Sequence, residues 1–573
     1  MEKHTLMELN GIFKKTIQEP LSYGTAGYRT DSAAIKDIAT RAYLFCAVRS
    51  AQTNKPIGMI FTASHNPAAD NGIKYVDYNG NMVDSECEEL SNKIVNGSDD
   101  VVAEEISKIM GVRSTVVISR DTRESGPEMI NLCEKAAQAL GPEHMLVDMG
   151  VLTTPQIHFL VREMSMQNAR NEHINEKSLF SDHLNEMLTA YYKRIESFSS
   201  IAKRIFGEKE KETVVLDSSN GVGKVIFPKI QERMSSICNL NLLKNSKELN
   251  EECGSDYIKS TGALPAGVSS SRVNNRIEIA TEEGVIQGDL RMCAFDGDAD
   301  RIVFLKPSSG RLLDGDRLSV LFSSFLNHLL AVANINEKIT TVITEYTNGA
   351  AANELKTKGG VKVAGTGVKN MQKETGKGIT VWFESNGHGT ISFAEDVIKM
   401  LKSTLGYEQT ESLLDLSAAD LSNTVDELLI KPLKNLSCKE ARNTSPYNEL
   451  FMRLSQQEAL LLLYAMAVLC DPFIGDAVVN MVVSECIFYS KFILPDVLLE
   501  VYQDMPNILT SVQGNRERLN ELVVQGLKDK YLPIRIHLRA SGTEDIIRIY
   551  AEGEDEDRLK TVVDEIKEVL NEL

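Results

Sequence analysis

The stretch Phe295-Asp296-Gly297-Asp298-Ala299-Asp300-Arg301 constrains the fold most, because it places carboxylates at i, i+2 and i+4 directly before the apolar run Ile302 to Leu305. On extended backbone that spacing aims all three to one side, and Gly297 and Ala299 are small enough to let the loop close. Three charges so close repel unless a cation joins them, and hard oxygen ligands of this kind suit Mg²⁺ or Mn²⁺. A calcium EF-hand loop requires glycine at its sixth position and glutamate at its twelfth, where this chain has Arg301 and Pro307. An exposed acidic turn is the plain alternative.

Three further segments share the plan of an apolar strand running into a polar turn. Ile57 to Phe61 leads into Thr62-Ala63-Ser64-His65-Asn66-Pro67, with Asn71-Gly72 as the next reversal. Proline locks its own φ and pushes Asn66 into extended geometry. Ser64 is expected to be held out at the strand end, burying little, although a capped turn would read the same way. Adjacent residues on extended backbone face opposite ways, so His65 reaches the Ser64 hydroxyl only if the turn folds it back, which disfavours a hydrolase dyad. A serine so placed also suits a phosphoryl carrier, provided that a cation and phosphate-binding groups come from elsewhere.

Val381-Trp382-Phe383 leads into Glu384-Ser385-Asn386-Gly387-His388-Gly389-Thr390, where Glu384, Asn386 and His388 form a set able to accept from and donate to sugar hydroxyls. Arg539-Ala540-Ser541-Gly542-Thr543-Glu544-Asp545 separates two alternating strands, Ile534 to Leu538 and Ile546 to Tyr550. Gly542 lets backbone N–H groups converge, Ser541 and Thr543 add hydroxyls, and Arg539 with Arg548 can grip phosphate in a planar fork. A plain hairpin loop is the alternative.

Taken together and in this order, the four segments resemble the α-D-phosphohexomutase superfamily, and within it the eukaryotic type of phosphoacetylglucosamine mutase. The sugar loop carries the finer assignment, since Glu384 to Thr390 resembles the Glu-Ala-Asn-Gly-His-Gly-Thr of the acetylglucosamine enzymes, with Ser385 for alanine. Ala540 replaces the family's proline in the phosphate loop. The resemblance implies interconversion of N-acetylglucosamine 6- and 1-phosphates through a phosphorylated Ser64 and a 1,6-bisphosphate, which also serves as a possible activator. It implies one Mg²⁺ held by Asp296, Asp298, Asp300 and the phosphoserine, with His65, Lys74 and Arg301 at the reacting centre and Lys74 first in line to assist proton transfer. Arg29, in Tyr23-Gly24-Thr25-Ala26-Gly27-Tyr28-Arg29 at the mouth of the cleft, joins Arg539, Ser541, Gly542, Thr543 and Arg548 as a phosphate ligand. The N-acetyl group is expected beside Asn386-Gly387-His388, where glycine keeps bulk away.

The remaining chain reads as α/β: three similar mixed or parallel-sheet domains and a C-terminal α+β domain around a central cleft, a layout that the resemblance supplies. At 573 residues the chain is long enough for about three to five domains. Expected limits are 1–185, 186–295, 296–455 and 456–573. Glu128 to Leu140 forms the helix of a βαβ unit, 167–182 a surface excursion, 268–276 a loop, and Leu559 to Leu573 an amphipathic terminal helix. The net charge of −19 argues against nucleic acid and requires arginines and a metal to create a local positive field for a phosphosugar partner. Nine scattered cysteines without a Cys-x-x-Cys pair point to reduced thiols. The amino terminus carries no secretory apolar region and Ala459 to Cys470 is too short to span a bilayer, so no membrane partner and a cytoplasmic location are expected. A monomer or weak dimer is the expected assembly. The rival readings are a phosphoglucomutase or phosphomannomutase, and a non-catalytic phosphoprotein that binds sugar phosphate.

Overall fold

The computed structural model describes residues 11–168, 177–273, 276–281, 284–288, 290–430, 446–448, 453–513, 519–540 and 546–572. The first sheet contains β1 (Tyr28–Asp31), β2 (Ile57–Phe61), β3 (Asp70–Val76), β4 (Ser114–Arg120) and β5 (His144–Val151) in the order β1-β3-β2-β4-β5. The second comprises β6 (Thr213–Asp217), β7 (Asn239–Leu242), β11 (Leu290–Phe295), β12 (Ile302–Lys306) and β13 (Arg311–Leu313), ordered β13-β12-β11-β6-β7. Between β7 and β11, the strands β8 (Ser269–Val273), β9 (Arg276–Thr281) and β10 (Gly284–Gly288) form a small antiparallel sheet. The third sheet holds β14 (Ile339–Thr344), β15 (Gly360–Ala364), β16 (Ile379–Phe383) and β17 (Gly389–Phe393), ordered β15-β14-β16-β17. The last, of β18 (Asn507–Gln513), β19 (Arg535–Ala540) and β20 (Ile546–Glu552), is antiparallel in the order β18-β20-β19.

One plan recurs in the first three sheets. A fully buried central strand pairs in parallel with a neighbour on one side and antiparallel with the next strand in sequence on the other. That central strand is β2, β11 and β16 in turn, and the connection at its carboxyl end is the serine loop, the acidic loop and the sugar loop. Each central strand is largely apolar, as burial on both faces favours, with Arg291 of β11 paired to Glu485 and Thr380 in β16 as its buried polar residues, and the chemistry-bearing groups follow at its carboxyl end.

The first three units share one continuous hydrophobic cluster, into which the helices Lys177–Phe206, Gly315–Ala333, Gln456–Leu469 and Ala477–Ser490 all pack. The apolar run read from Ala459 to Cys470 is a buried helix of this core, and among the described residues no helix is long and apolar enough to cross a membrane. The C-terminal unit has its own core, in which Leu559, Val562, Val563, Ile566 and Leu570 pack on the sheet, while Leu573 lies outside the described residues. It meets the third unit through polar contacts: Arg535 donates to Glu345 O at 3.1 Å and to Thr347 O, and Glu552 Oε2 accepts from Gly349 N at 2.9 Å.

Four expectations differ from the structure. Residues 269–273 are strand β8 because they pair as a hairpin with β9, the next strand in sequence, which stabilises a Ser-rich segment of low intrinsic strand preference. The helix Lys177–Phe206 replaces the latter part of the expected excursion, since its apolar residues find the core. The limit at 185 falls within that helix. The limit at 295 falls between β11 and β12, which pair as a hairpin.

Candidate active site

The acidic loop is a tight turn, not the extended backbone inferred from its alternation: Ala299 lies at φ 56°, and residues 297–299 are turn and bend. The turn still gathers the carboxylates, whose oxygens from Asp296, Asp298 and Asp300 lie within 4.8 Å of one another, all three residues buried. Three successive carbonyls of this loop are held by the first residues of three helices. Val222 N donates to Gly297 O at 2.9 Å, Thr154 N to Asp298 O at 3.1 Å and Ala477 N to Ala299 O at 3.2 Å. The N-terminal partial charges of these helices partly offset the negative charge of the triad.

Ser64 is buried, 1% exposed, rather than held out as the sequence suggested. Its loop folds onto the second unit, and its Oγ donates to Asp296 Oδ2 at 2.5 Å. Ser64 stands at φ 53°, and Gly297 approaches so closely that an added Cβ would lie 2.5 Å from Ser64 O. Lys74, on β3 just beyond the same loop, donates to Asp298 Oδ2 at 2.6 Å and Asp300 Oδ2 at 3.0 Å. Thr154 Oγ1 adds a bond to Asp298 Oδ2 at 2.6 Å. Burial opposes ionisation of Asp298 and Asp300, but Lys74 draws both carboxyls below the usual range, helped at Asp298 by the Lys74 and Thr154 hydrogen bonds and at Asp300 by His388 and Arg301. Asp296 is pushed well up, first by burial and then by the other two carboxylates. Asp298 Oδ1 and Asp300 Oδ1 are buried without hydrogen-bond partners, so the donor set fits a hard divalent cation.

His65 is not bonded to Ser64. Arg301, burial and Arg29 together drive its pKa down to about 2, so the ring is neutral and its buried Nδ1 has no partner. Arg301 Nε lies 3.8 Å from both Asp296 Oδ2 and Asp300 Oδ1, and Arg29 Nη1 reaches Asn66 Oδ1 at 3.4 Å. Both Nε atoms are buried and make no hydrogen bond, although Arg301 is ion-paired with the two carboxylates.

The sugar loop lies against the acidic loop: Ile302 N donates to Gly387 O at 3.2 Å, and His388 Nδ1 is 3.3 Å from Asp300 Oδ1. Glu384 Oε1 accepts from Gly367 N at 2.8 Å and its Oε2 from Asn386 Nδ2 at 3.3 Å. Ser385 Oγ donates to Asp316 Oδ1 at 2.7 Å. The space beside Gly387 Cα is taken by the backbone of Ile302 at the start of β12, where an added Cβ would lie 1.9 Å from Ile302 O. With φ at 91° as well, Gly387→Ala should destabilise the fold by at least roughly 1–3 kcal/mol, read from denaturant unfolding.

In the C-terminal sheet Arg539 stands opposite Arg548, and Ser511 opposite Arg548 on the other side, so all three share one face. Ser541, Gly542 and Thr543 lie outside the described residues. Ser64, Arg29, Asp300, Arg301, Glu384, Asn386, His388, Arg539 and Arg548 line one cleft of about 1170 Å³, to which all four units contribute. The sequence did not single out Thr154, Asp316 or Ser511 as site residues. Thr154 carries only the local signal of a helix start before Pro155, and Ser511 joins the arginines only through strand register.

Comparison with known proteins decides the family. Residues 314–428 match the family profile of phosphoacetylglucosamine mutase AMG1, domain III, while 26–102 and 92–169 match alpha/beta/alpha domain I of phosphoglucomutase/phosphomannomutase and 500–569 match its C-terminal domain. The probable phosphoacetylglucosamine mutase of Encephalitozoon cuniculi is 30% identical over 567 residues, covering 94% of this chain and 91% of that one. The chain belongs to the phosphoacetylglucosamine mutase family. The human phosphoacetylglucosamine mutase is 29% identical over 95% of this chain and 93% of its own. The crystal structure of Aspergillus fumigatus N-acetylphosphoglucosamine mutase in complex with GlcNAc-6P and magnesium superposes with a TM-score of 0.76 at 27% identity, covering 99% of each chain. A variant of that enzyme in complex with glucose 1,6-bisphosphate superposes at 0.75 with 28% identity, covering 99% of this chain and 97% of that one. The fold class read from the sequence holds, and membership makes the chain an isomerase of phosphosugars.

Proposed function

We propose that this chain interconverts N-acetylglucosamine 6-phosphate and 1-phosphate by way of a phosphorylated Ser64 and a 1,6-bisphosphate, on the route to UDP-N-acetylglucosamine. The observation that carries this reading is the placement of the Ser64 hydroxyl 2.5 Å from Asp296 within a buried carboxylate triad, on the wall of a cleft also lined by Arg539 and Arg548. The phosphoryl group on Ser64 passes to the free hydroxyl of the monophosphate: the Ser64 O–P bond breaks, a sugar O–P bond forms, and the hydroxyl proton is released. The bisphosphate turns, and its other phosphoryl group returns to Ser64. Pockets of about 300–1,000 Å³ hold drug-sized ligands, so a cleft of about 1170 Å³ has room for that turn.

Asp296, Asp298 and Asp300, with the Ser64 phosphate, would hold one Mg²⁺, which supplies charge neutralisation on the transferred group. Arg29 and Arg301 present N–H groups without hydrogen bonds to the phosphate at the serine end, and Lys74, an ammonium bonded to Asp298 and Asp300, can accept the released proton only after giving up its own. Arg539, Arg548, Ser541, Gly542 and Thr543 grip the other phosphate, with Ser511 in the same row as the arginines. Glu384, Asn386 and His388 bind the sugar hydroxyls. Every group used comes from one chain, so a monomer suffices.

Intact-mass measurement of the purified protein tests the reading: one phosphate on Ser64 that monophosphate substrate removes is expected, and its absence in active protein overturns it. Arg548→Ala should lower kcat/KM for N-acetylglucosamine 6-phosphate and glucose 6-phosphate alike, because both carry the phosphate it grips. Glu384→Ala and His388→Ala should each cost roughly 1–3 kcal/mol of transition-state binding while phosphate affinity survives. Unchanged kcat/KM in folded Glu384→Ala and His388→Ala would reduce the sugar loop to a structural element.

A further inference from the structure

Two side chains that the transfer chemistry does not itself use converge on the backbone of the serine loop. Arg123, beyond the end of β4, is 2% exposed. Its Nη2 donates to Ser64 O at 3.3 Å and Asn66 O at 2.9 Å, and its Nη1 to Pro67 O at 3.4 Å. Its Nε lies 3.2 Å from Asp121 Oδ2, which keeps the charge paired. From the second unit, Asn250 Nδ2 donates to Ser64 O and to Asn66 O, at 2.8 Å in each case. Asn250 is itself fixed, since its Oδ1 accepts from Ser219 Oγ at 2.5 Å. Each of the two carbonyls therefore takes one guanidinium N–H from the first unit and one amide N–H from the second.

The backbone between those carbonyls needs holding. Ser64 lies at φ 53°, a left-handed conformation that a non-glycine residue keeps only where its surroundings over-determine it. The direction in which Oγ leaves that backbone decides whether it meets the carboxylate triad or misses it. Thr62 Oγ1 accepts from Ser64 N at 2.9 Å and steadies the loop from within. Arg123 and Asn250 steady it from both units at once, so the loop's place relative to the acidic loop depends on them.

We infer that Arg123 and Asn250 are positioning residues that set the Ser64 hydroxyl on the carboxylate triad. They touch no substrate and act through the loop carbonyls. The inference rests on the reading of Ser64 as the phosphoryl carrier.

Asn250→Gly tests it with little strain on the backbone, because Asn250 sits at φ 61°, where glycine is at ease; it removes the side chain that bonds both loop carbonyls, together with the bond from Ser219. Arg123→Lys keeps the charge beside Asp121 but cannot fork across two carbonyls. In each variant kcat for N-acetylglucosamine 6-phosphate should fall roughly tenfold to a hundredfold, with KM held within about a factor of two, because the reacting atom is misplaced while the binding groups are intact. The double variant should lose less than the product of the two single losses, since both act on the same carbonyls. Wild-type kcat in folded Asn250→Gly, or a loss confined to KM, overturns the inference, and Asn250→Gly decides alone should Arg123→Lys not fold. Intact mass of the wild type separates this failure from failure of the underlying reading: a Ser64 that never gains or loses phosphate overturns the reading itself.

Discussion

Ser64→Ala is expected to reduce mutase turnover at least a thousandfold, a loss of roughly 4 kcal/mol in transition-state stabilisation. The variant retains the cleft, the carboxylates and both phosphate-gripping ends but has no oxygen to receive the phosphoryl group. Burial of Ser64 alters what the variant should do to stability. The hydroxyl makes one buried bond, to Asp296 Oδ2, while Asp296 Oδ1 keeps its bonds from Asp300 N and Arg301 N at 3.1 Å each. Losing one such bond costs about 1 kcal/mol, so the protein should stay folded. Turnover with N-acetylglucosamine 6-phosphate, the unfolding midpoint and intact mass form the measurement. Retention of more than a few per cent of activity in a protein that carries no phosphate would end the covalent mechanism.

Asp298→Asn is expected to raise the magnesium concentration needed for half-maximal turnover at least tenfold and to lower maximal turnover by a further order of magnitude or more, since one of three anionic ligands is lost. The structure adds a stability cost that spacing alone did not suggest. Asp298 is fully buried and accepts from Lys74 and Thr154, and removing one partner of a buried pair costs about 3–5 kcal/mol when the remaining charge is stranded. Lys74 keeps Asp300 at 3.0 Å, which places the expected loss at or below the lower end of that range. Titrating magnesium while following both turnover and the unfolding midpoint separates the two effects. The wild-type midpoint should rise with magnesium and that of Asp298→Asn should rise much less. An unchanged magnesium dependence would place the ion elsewhere.

Much of the site is legible in the chain because each chemical motif is short and bounded by its own strands. The serine, acidic and sugar loops are hairpin connections, so strand, turn and partner strand lie within a few residues of one another. Residue types followed the same logic: a strand buried on both faces is largely apolar, and the chemistry-bearing groups follow at its end. The terminal helix and the Gly126–Leu140 helix carry their periodicity locally and were correspondingly clear.

What local sequence could not supply was the meeting of these loops. Ser64 and Asp296 are 232 positions apart, and only the shared core of the first three units brings the hydroxyl to 2.5 Å from the carboxylate and buries it. The same packing delivers three helix starts to consecutive carbonyls of the acidic loop, which determines that the carboxylates converge by a turn and not by strand alternation. Gly387 is required by close contact with the backbone of Ile302, which nothing in the sugar loop's own sequence indicates. Short-range sterics and solvation act between neighbours in the chain, and they determined which loops carry chemistry. Burial and long-range hydrogen bonding act between neighbours in space, and they alone decided how Ser64, Lys74, Asn250 and the acidic loop form one site.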